Sequence, residues 1–230
     1  DTKWKKNNLG KGWVIGETLI TGIGQGYTQT TPLQLCQMTA QLANGGFKIY
    51  PKIIVDENSN TAEDVRLIIN ENRKKLNKEN SGLKDATDLL GLITKKKYNP
   101  LFKNPKNIKL VREAMFASTN EVRGTSYSSR IEDPKYQFAG KTGTSQVRRI
   151  TKEARELDLV TSEIPYNERD HALFIAFGPY KNPRYALSVV IEHGGSGSST
   201  AAPIAKKLFK AIIDRHELRE QAGAQKTLKI

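Results

Sequence analysis

The four residues Lys141-Thr142-Gly143-Thr144 constrain the fold of this chain more than any other feature of its sequence. They place a cation, two hydroxyls and a glycine in a run whose flanking residues are typical of a β-strand. Because alternate side chains of a strand face opposite ways, Thr142 and Thr144 should share an exposed face while Lys141 points the other way. Two hydroxyls beside an unpaired strand edge can hold the carboxylate and amide of an extended peptide. Gly143 is expected to let a neighbouring helix approach the strand closely.

The overall charge is strongly basic, with 37 lysines and arginines against 24 acidic residues and a formal net charge of +13. Such a surface can bind nucleic acid, an anionic membrane or an acidic polymer. The basic residues fall in separate runs, such as residues 73–75 and 95–97, without the interleaved aromatic side chains that stack bases. The sequence therefore predicts a solvated, lysine-rich surface and no nucleic-acid partner, with a basic nucleic-acid binder left open as an alternative.

Length and cysteine content narrow the class further. The 230 residues suffice for one hydrophobic core, and the single cysteine, Cys36, excludes an internal disulfide or a cysteine-based zinc cluster. No apolar run in the sequence is long enough to span a bilayer. The chain begins at Asp1 without an initiator methionine, so we expect it to be a piece of a longer protein.

Helix signals are strongest just after residue 30. Thr31 and Gln34 form a capping box around Pro32, which suits the first position of a helix. The apolar stripe predicted to face the core of this helix consists of Leu35, Met38 and Leu42. Further helices are predicted at residues 83–93 and 110–116.

The second half of the chain predicts an antiparallel sheet closed by a helix. Residues 171–177 and 185–191 are rich in β-branched and aromatic side chains and predict two strands joined by a hairpin loop. Thr200 is predicted to cap a final helix, followed by a polar tail beyond Arg215. The apolar stripe predicted for that helix consists of Ile204, Leu208 and Ile212. With the strand at Lys141, these elements predict an α+β fold in which helices flank the sheet.

Two short serine motifs, Ser81-Gly82-Leu83-Lys84 and Ser118-Thr119-Asn120, precede the strand predicted at residues 141–144, which we call the lysine strand. Together they match the order S-x-x-K, S-x-N, K-T-G that recurs in serine acyl-transferases recognising penicillin. A serine activated by a lysine must sit on a buried helix, because desolvation there lowers the pKa of the amine. Ser81 lies among charged residues and suits a helix cap, while Ser118 suits the end of a helix. We therefore predict that neither serine is a nucleophile.

Seven runs in a fixed order carry a family resemblance. They are IGQGY at 23–27, TPLQL at 31–35, ANGG at 43–46, VREAM at 111–115, AGKTGTSQV at 139–147, DHALFIAF at 170–177 and AAPIA at 201–205. In this order they resemble the class B penicillin-binding proteins, and among these the elongation-type members. The resemblance extends from about residue 20 to residue 213, which is nearly the whole chain.

The resemblance implies both a fold and an activity. The fold is the C-terminal portion of a β-lactamase/transpeptidase-like fold, with residues 1–230 forming part of a transpeptidase domain and 217–230 a flexible tail. The activity is that of a serine-type peptidoglycan D,D-transpeptidase, which cross-links stem peptides through an acyl-enzyme, binds β-lactams and needs no cofactor. The family places S-x-x-K and S-x-N before the IGQGY run, hence upstream of Asp1. The isolated chain is accordingly predicted to be inactive.

The same resemblance assigns roles to the lysine strand and a setting to the protein. Lys141 becomes the catalytic cation, Thr142, Gly143 and Thr144 bind substrate, and the Thr144 N–H supplies half of an oxyanion hole. The setting is the periplasmic side of an inner membrane, where an anchor outside this chain would hold the protein among the cell-elongation machinery. A β-lactam sensor, a β-lactamase domain and a non-catalytic scaffold for that machinery stay open as alternatives.

Overall fold

The computed structural model describes residues 1–51, 101–147 and 160–227. The motif at Ser81 and the helix predicted at residues 83–93 lie outside these described residues. The chain divides into two compact units, residues 1–31 and the part from Pro32 onward. The lysine strand belongs to the second unit.

The first unit contains two short helices, α1 (Thr2–Leu9) and α2 (Ile15–Gly22). The Asp1 carboxylate caps α1 by accepting a hydrogen bond from a backbone N–H of the first turn. The buried ammonium of Lys5 donates to the Gly12 carbonyl at 2.7 Å and to the Glu17 carboxylate. The hydrogen bond from Lys5 holds the pKa of the Glu17 carboxyl below its usual range. A half-buried ion pair therefore joins the two helices of this unit.

The second unit contains three α-helices among its described residues: α3 (Pro32–Ala43), α4 (Pro105–Asn120) and α5 (Ala202–Thr227). Helix α3 begins at the predicted proline. Helix α4 begins earlier than the predicted residue 110, because Asn104 accepts a hydrogen bond from the Lys106 N–H and caps a turn that opens with proline. Helix α5 continues past Arg215 into the segment predicted as a tail. The flexibility of residues 217–230 stays a prediction.

The sheet has three antiparallel strands in the order β1 (Ala139–Ser145), β2 (His171–Gly178) and β3 (Tyr185–Ile191). The pairing is continuous, with Thr142 opposite Phe174 and Phe174 opposite Val189. Helices α3 and α4 pack on the sheet, and α5 packs on β2 and β3. The predicted α+β fold with a helix-flanked antiparallel sheet is confirmed.

Two apolar clusters fill the two sides of the sheet. In one, the Phe138 ring stacks on Phe209 of α5 at 5.1 Å and meets Phe174 of β2 edge-on at 6.2 Å. The other joins Met115 of α4 to Phe177 of β2 and to residues of α3 and β1. Residues on both faces of β2 are therefore buried, which makes it the central scaffold strand.

The buried faces of α3 and α5 match the prediction only in part: Leu42 packs against the core, whereas Met38, Ile204 and Leu208 are exposed. Prediction placed larger aliphatic residues against the core: Leu35, Met38 and Leu42 in α3, and Ile204, Leu208 and Ile212 in α5. In the structure Thr39 and Ala43 are the buried residues of α3, while Ala205, Phe209 and Ile213 are buried in α5. Ala43 and Ala205 are small enough to let their helices approach the sheet closely, while the Phe209 ring fills part of the core.

The glycines and serines of residues 194–199 predict a flexible link between β3 and α5, but the structure has an ordered bend there. His193 adopts a positive φ of 55°, and residues Gly197–Ala201 form a π-helical turn leading into α5. The Thr200 hydroxyl donates to the Gly194 carbonyl at 2.9 Å. The prediction that Thr200 caps α5 was wrong, because its hydroxyl closes this bend instead.

Candidate active site

The lysine strand lies where the sequence predicts it, in β1 at one edge of the sheet formed by the described residues. Lys141 and Thr144 are exposed, and Thr142 and Gly143 are half-buried. Exposure arises because α5 covers β2 and β3, whereas β1 has a paired neighbour on one side only. The strand is thus displayed at the rim of a buried scaffold.

Two hydrogen bonds identify the residues of β1 whose backbone points inward, towards β2. The Gln137 carbonyl accepts from the Tyr180 N–H at 2.7 Å, just beyond the end of β2. The Val147 N–H donates to the Asp170 carboxylate at 3.1 Å, just before the start of β2. Because backbone direction alternates along a strand, the odd-numbered residues between them direct their N–H and C=O groups to β2.

Two other hydrogen bonds identify the outward-pointing residues independently. The Phe138 carbonyl accepts from the side-chain amide of Asn120 at 2.9 Å, and the Thr142 carbonyl accepts from the Lys141 ammonium at 2.9 Å. Both carbonyls belong to even-numbered residues. This agrees with the assignment above, in which the odd-numbered residues point inward. It follows that the N–H of Thr144 also points outward. We call the outward backbone groups of Gly140, Thr142 and Thr144 the outer edge.

The side-chain directions in β1 follow the prediction only in part. Lys141 pairs with Ile175 and Thr142 with Phe174, so the two side chains leave opposite faces of the sheet. The flexible lysine then turns along the outer edge, and its ammonium also lies 3.4 Å from the Thr142 hydroxyl. The Lys141 ammonium and the Thr142 hydroxyl therefore lie close together, although their side chains leave opposite faces of the sheet.

Close backbone approach at the lysine strand depends on a glycine that sequence reasoning missed. A Cβ built on Gly143 would meet only the Leu173 Cβ, at 3.3 Å. A Cβ built on Gly197 would lie 2.4 Å from the Leu173 carbonyl oxygen and 2.6 Å from the Gly143 carbonyl oxygen. Gly197, in the π-helical turn, is therefore the residue that must be small for this turn to pack on β1 and β2.

The Ser118-Thr119-Asn120 motif ends α4, as predicted. The Ser118 hydroxyl lies 3.3 Å from the Thr125 hydroxyl, and the Ser118 carbonyl accepts from both the N–H and the hydroxyl of Ser126 at 3.0 Å. Asn120 joins the end of the helix to the residue before β1, through the amide bond to Phe138. The motif is structural, and its asparagine fixes the start of the lysine strand.

A second feature is the run Arg169-Asp170-His171 at the start of β2, which sequence reasoning used only for the family resemblance. His171 Nδ1 accepts from the His193 N–H at 2.9 Å, and the two imidazole rings meet edge-on at 4.8 Å. The run sits opposite the end of β1, since His171 pairs with Ser145. Three consecutive polar residues directly before an apolar strand were the available signal.

The fold and this strand define a class of protein. The K-T-G motif, which lies here on the edge strand of the sheet formed by the described residues, is one of the sequence elements of serine acyl-transferases that recognise penicillin. The penicillin binding protein transpeptidase domain model matches residues 2–210. This chain therefore belongs to the penicillin-binding protein transpeptidase family, and it is of the class B type that includes penicillin-binding protein 2, or MrdA.

Individual relatives agree with this assignment. The peptidoglycan D,D-transpeptidase MrdA of Salmonella typhimurium is 32% identical over 219 residues, which are 92% of this chain and 29% of that protein. Penicillin-binding protein 2 of Helicobacter pylori, solved in complex with MreC, matches with 25% identity and a TM-score of 0.64 over 93% of this chain and 30% of that one. Pseudomonas aeruginosa penicillin-binding protein 2 in complex with WCK 5153 matches with 31% identity and a TM-score of 0.58, over 92% of this chain and 35% of that one.

The chain thus spans less than a third of the length of the curated relative described above. None of the helices within the described ranges combines the length and the apolar character that crossing a membrane requires.

Proposed function

We propose that residues 1–230 are the C-terminal part of the transpeptidase domain of an elongation-type peptidoglycan D,D-transpeptidase. One observation carries the proposal: the outer edge of β1 directs the Thr144 N–H outward, beside the Lys141 ammonium and the Thr142 hydroxyl. This arrangement suits an extended peptide that ends in a carboxylate. Its backbone could pair with the free edge while its negative charge meets the lysine.

In the whole protein, a serine upstream of this chain would attack the carbonyl of the penultimate D-Ala of a stem peptide. The serine oxygen forms an ester, the C–N bond breaks, and the terminal D-Ala leaves as its amine. The amine of a neighbouring stem peptide then attacks the ester, which forms the cross-link and restores the serine hydroxyl. β-Lactams acylate the same serine.

Within that reaction the residues of β1 have separate roles. Lys141 raises the positive potential at the substrate carboxylate, and the hydroxyls of Thr142 and Thr144 hydrogen-bond to it. The Thr144 N–H is half of the oxyanion hole, and the N–H of the upstream serine is the other half. Loss of one such donor costs about 10²–10³-fold in rate. Gly143 is the remaining residue of the proposed substrate-binding motif and lies between the two threonines.

The isolated chain is proposed to be inactive. Ser118 is committed to the end of α4, and Ser81 lies in a strongly charged stretch of sequence that does not suit a nucleophile. Without the serine and its N–H, the reaction loses its nucleophile and half of its oxyanion hole.

The proposed partners are peptidoglycan stem peptides, β-lactam antibiotics and the elongation machinery at the inner membrane. Support comes from the Helicobacter pylori relative that was solved with MreC and from the MrdA relatives. The domain would act in the periplasm, held by an anchor that lies outside this chain.

Labelling with fluorescent penicillin tests the proposal. The full-length protein should form a stable covalent adduct on a serine upstream of this chain, and it should release D-Ala from a model stem peptide. The isolated chain should do neither. A covalent band on the isolated chain that disappears in Ser81→Ala would overturn the assignment of the nucleophile. Rapid turnover of penicillin by the full-length protein would instead identify a β-lactamase, and partner binding without any labelling would identify a scaffold.

A further inference from the structure

Three successive side chains at the start of β2 each hold a different segment of backbone. The Arg169 guanidinium donates to the Ile164 carbonyl at 2.8 Å and to the Ser162 carbonyl at 3.3 Å. The Asp170 carboxylate accepts from the Val147 N–H at 3.1 Å, and His171 Nδ1 accepts from the His193 N–H at 2.9 Å. The exit of the lysine strand, the end of the connector that follows it and the bend after β3 therefore meet at one point.

Asp170 extends the pairing of β1 beyond the end of the sheet. The last backbone pair is Ser145 with His171, and β2 offers no further strand residue for the next inward N–H of β1, which belongs to Val147. The Asp170 carboxylate takes the place of the missing backbone acceptor. Since β1 is paired on one side only within the part of the chain that the structure describes, its end would otherwise be free to fray.

The backbone that carries the Asp170 carboxylate is itself held by hydrogen bonds. The Asp170 carbonyl accepts from the Gly195 N–H at 2.8 Å. His193 Nδ1 lies 3.0 Å from the Arg169 carbonyl, so the same bend also holds the residue before it. Side chains and backbone of the run are thus fixed together, and a half-buried Asp170 presents its oxygen to Val147 in one orientation.

From this geometry we infer that Asp170 is a positioning residue for the oxyanion-hole N–H of Thr144, an inference that rests on the proposed function. Thr144 lies three residues before Val147 on the same strand, and its own N–H has no strand partner among the described residues. Its direction therefore depends on both ends of β1 being fixed. Asn120 fixes the start and Asp170 fixes the end. A misplacement of about 1 Å at a reacting centre can cost roughly 10²-fold in rate.

The test uses the full-length protein with variants at both ends of this hydrogen bond. Asp170→Ala removes the acceptor and Val147→Pro removes the donor. Asp170→Asn keeps an oxygen that can accept, and should rescue most of the activity. The matched control is Asp133→Ala, which removes another carboxylate that accepts one backbone N–H, that of Lys135 at 2.9 Å.

The readouts are the first-order rate of acylation by fluorescent penicillin, the apparent affinity before acylation, and amide hydrogen exchange of residues 144–147. Asp170→Ala and Val147→Pro should each slow acylation by about 10–100-fold with little change in the apparent affinity. Their effects should not add in the double variant, since both remove the same bond. Exchange of the residue 144–147 amides should accelerate in Asp170→Ala, whereas Asp133→Ala should match the wild type in every measurement.

The outcomes separate this inference from the function on which it rests. If the wild type is never acylated, the proposed function fails, and hydrogen exchange still reports whether Asp170 orders the strand end. If the wild type is acylated but Asp170→Ala and Val147→Pro react at its rate, the positioning role is overturned. Additive losses in the double variant would also overturn it. Should Asp170→Ala fail to fold, Val147→Pro decides the matter, because it leaves the carboxylate and its neighbours in place.

Discussion

The two neighbouring strands β1 and β2 are held in place by different means. In β2, Ala172, Phe174, Ala176 and Phe177 are fully buried, and helices cover both faces. In β1 only Ala139 and Gly140 are buried, and the K-T-G motif that follows them is half-buried or exposed. Apolar burial thus fixes the scaffold strand, while the displayed strand owes little of its position to its own side chains.

Discrete contacts compensate for the missing burial along β1. The Asn120 amide holds its start, the Gly197 backbone packs against its middle, and the Asp170 carboxylate holds the residue after its end. None of these contacts occupies the outer edge between Gly140 and Thr144. The comparison shows how a strand can be well positioned while, among the described residues, no neighbouring strand covers its outer edge.

The largest expected effect on stability comes from comparing two residues that pair across the strands, Phe174 in β2 and Thr142 in β1. Phe174→Ala, in β2, should lower the free energy of unfolding by about 3–5 kcal/mol, because its ring is fully buried between Phe138 and the sheet. Thr142→Ala, directly opposite in β1, should cost less than about 1 kcal/mol. Urea unfolding of both variants checks the pair. Equal losses would mean that β1 is buried as deeply as β2.

A smaller effect is expected from two glycines near the middle of β1. Gly197→Ala should destabilise by about 1–3 kcal/mol, because its methyl group would meet the carbonyl oxygens of Leu173 and Gly143, which are backbone atoms and cannot turn away. Gly143→Ala meets only the Leu173 Cβ and should cost clearly less. Thermal unfolding of the two variants ranks them. The reverse order would contradict the assignment of close packing to Gly197.

The smallest expected effect concerns the loop before β1. The Tyr136 hydroxyl donates to the Asp214 carboxylate of α5, and this bond raises the pKa of Tyr136 above its usual value. A raised pKa adds stability below about pH 10, and that stability is lost as pH rises through the folded-state value. Tyr136→Phe should therefore lower Tm slightly at pH 7, and the difference from the wild type should shrink above pH 10.

Sequence reasoning located the strands well because their signals are local. The run at β2 is continuously apolar and its predicted limits differ from the observed strand by one residue, Gly178. The helix faces were partly wrong because α5 has apolar residues on two faces, one with Ile204 and Leu208 and the other with Ala205 and Phe209. Hydrophobic periodicity predicts the spacing of the residues that a helix buries. Which of two apolar faces is buried depends on how the helix packs on the sheet.

The position of the lysine strand was predictable from the sequence, but its geometry was not. The motif at Lys141 identified the displayed strand, yet which N–H points outward depends on register with β2, which a long connection separates from β1. The contributions of Gly197 and Asp170 are equally non-local, since each acts on a strand far from it in sequence. Sequence patterns describe neighbours along the chain and carry no information on such approaches.

The central claim is that the outer edge of β1, and the Thr144 N–H in particular, receives the ligand. Replacing single residues of β1 by proline in the full-length protein tests it most directly, because proline deletes one N–H and is tolerated where that N–H faces outward. Thr144→Pro should unfold near the wild-type midpoint yet be acylated by penicillin about 10²–10³-fold more slowly. Ser145→Pro, which removes an inward N–H, should instead lose stability. Acylation of Thr144→Pro at the wild-type rate, or a loss of stability equal to that of Ser145→Pro, would contradict the account.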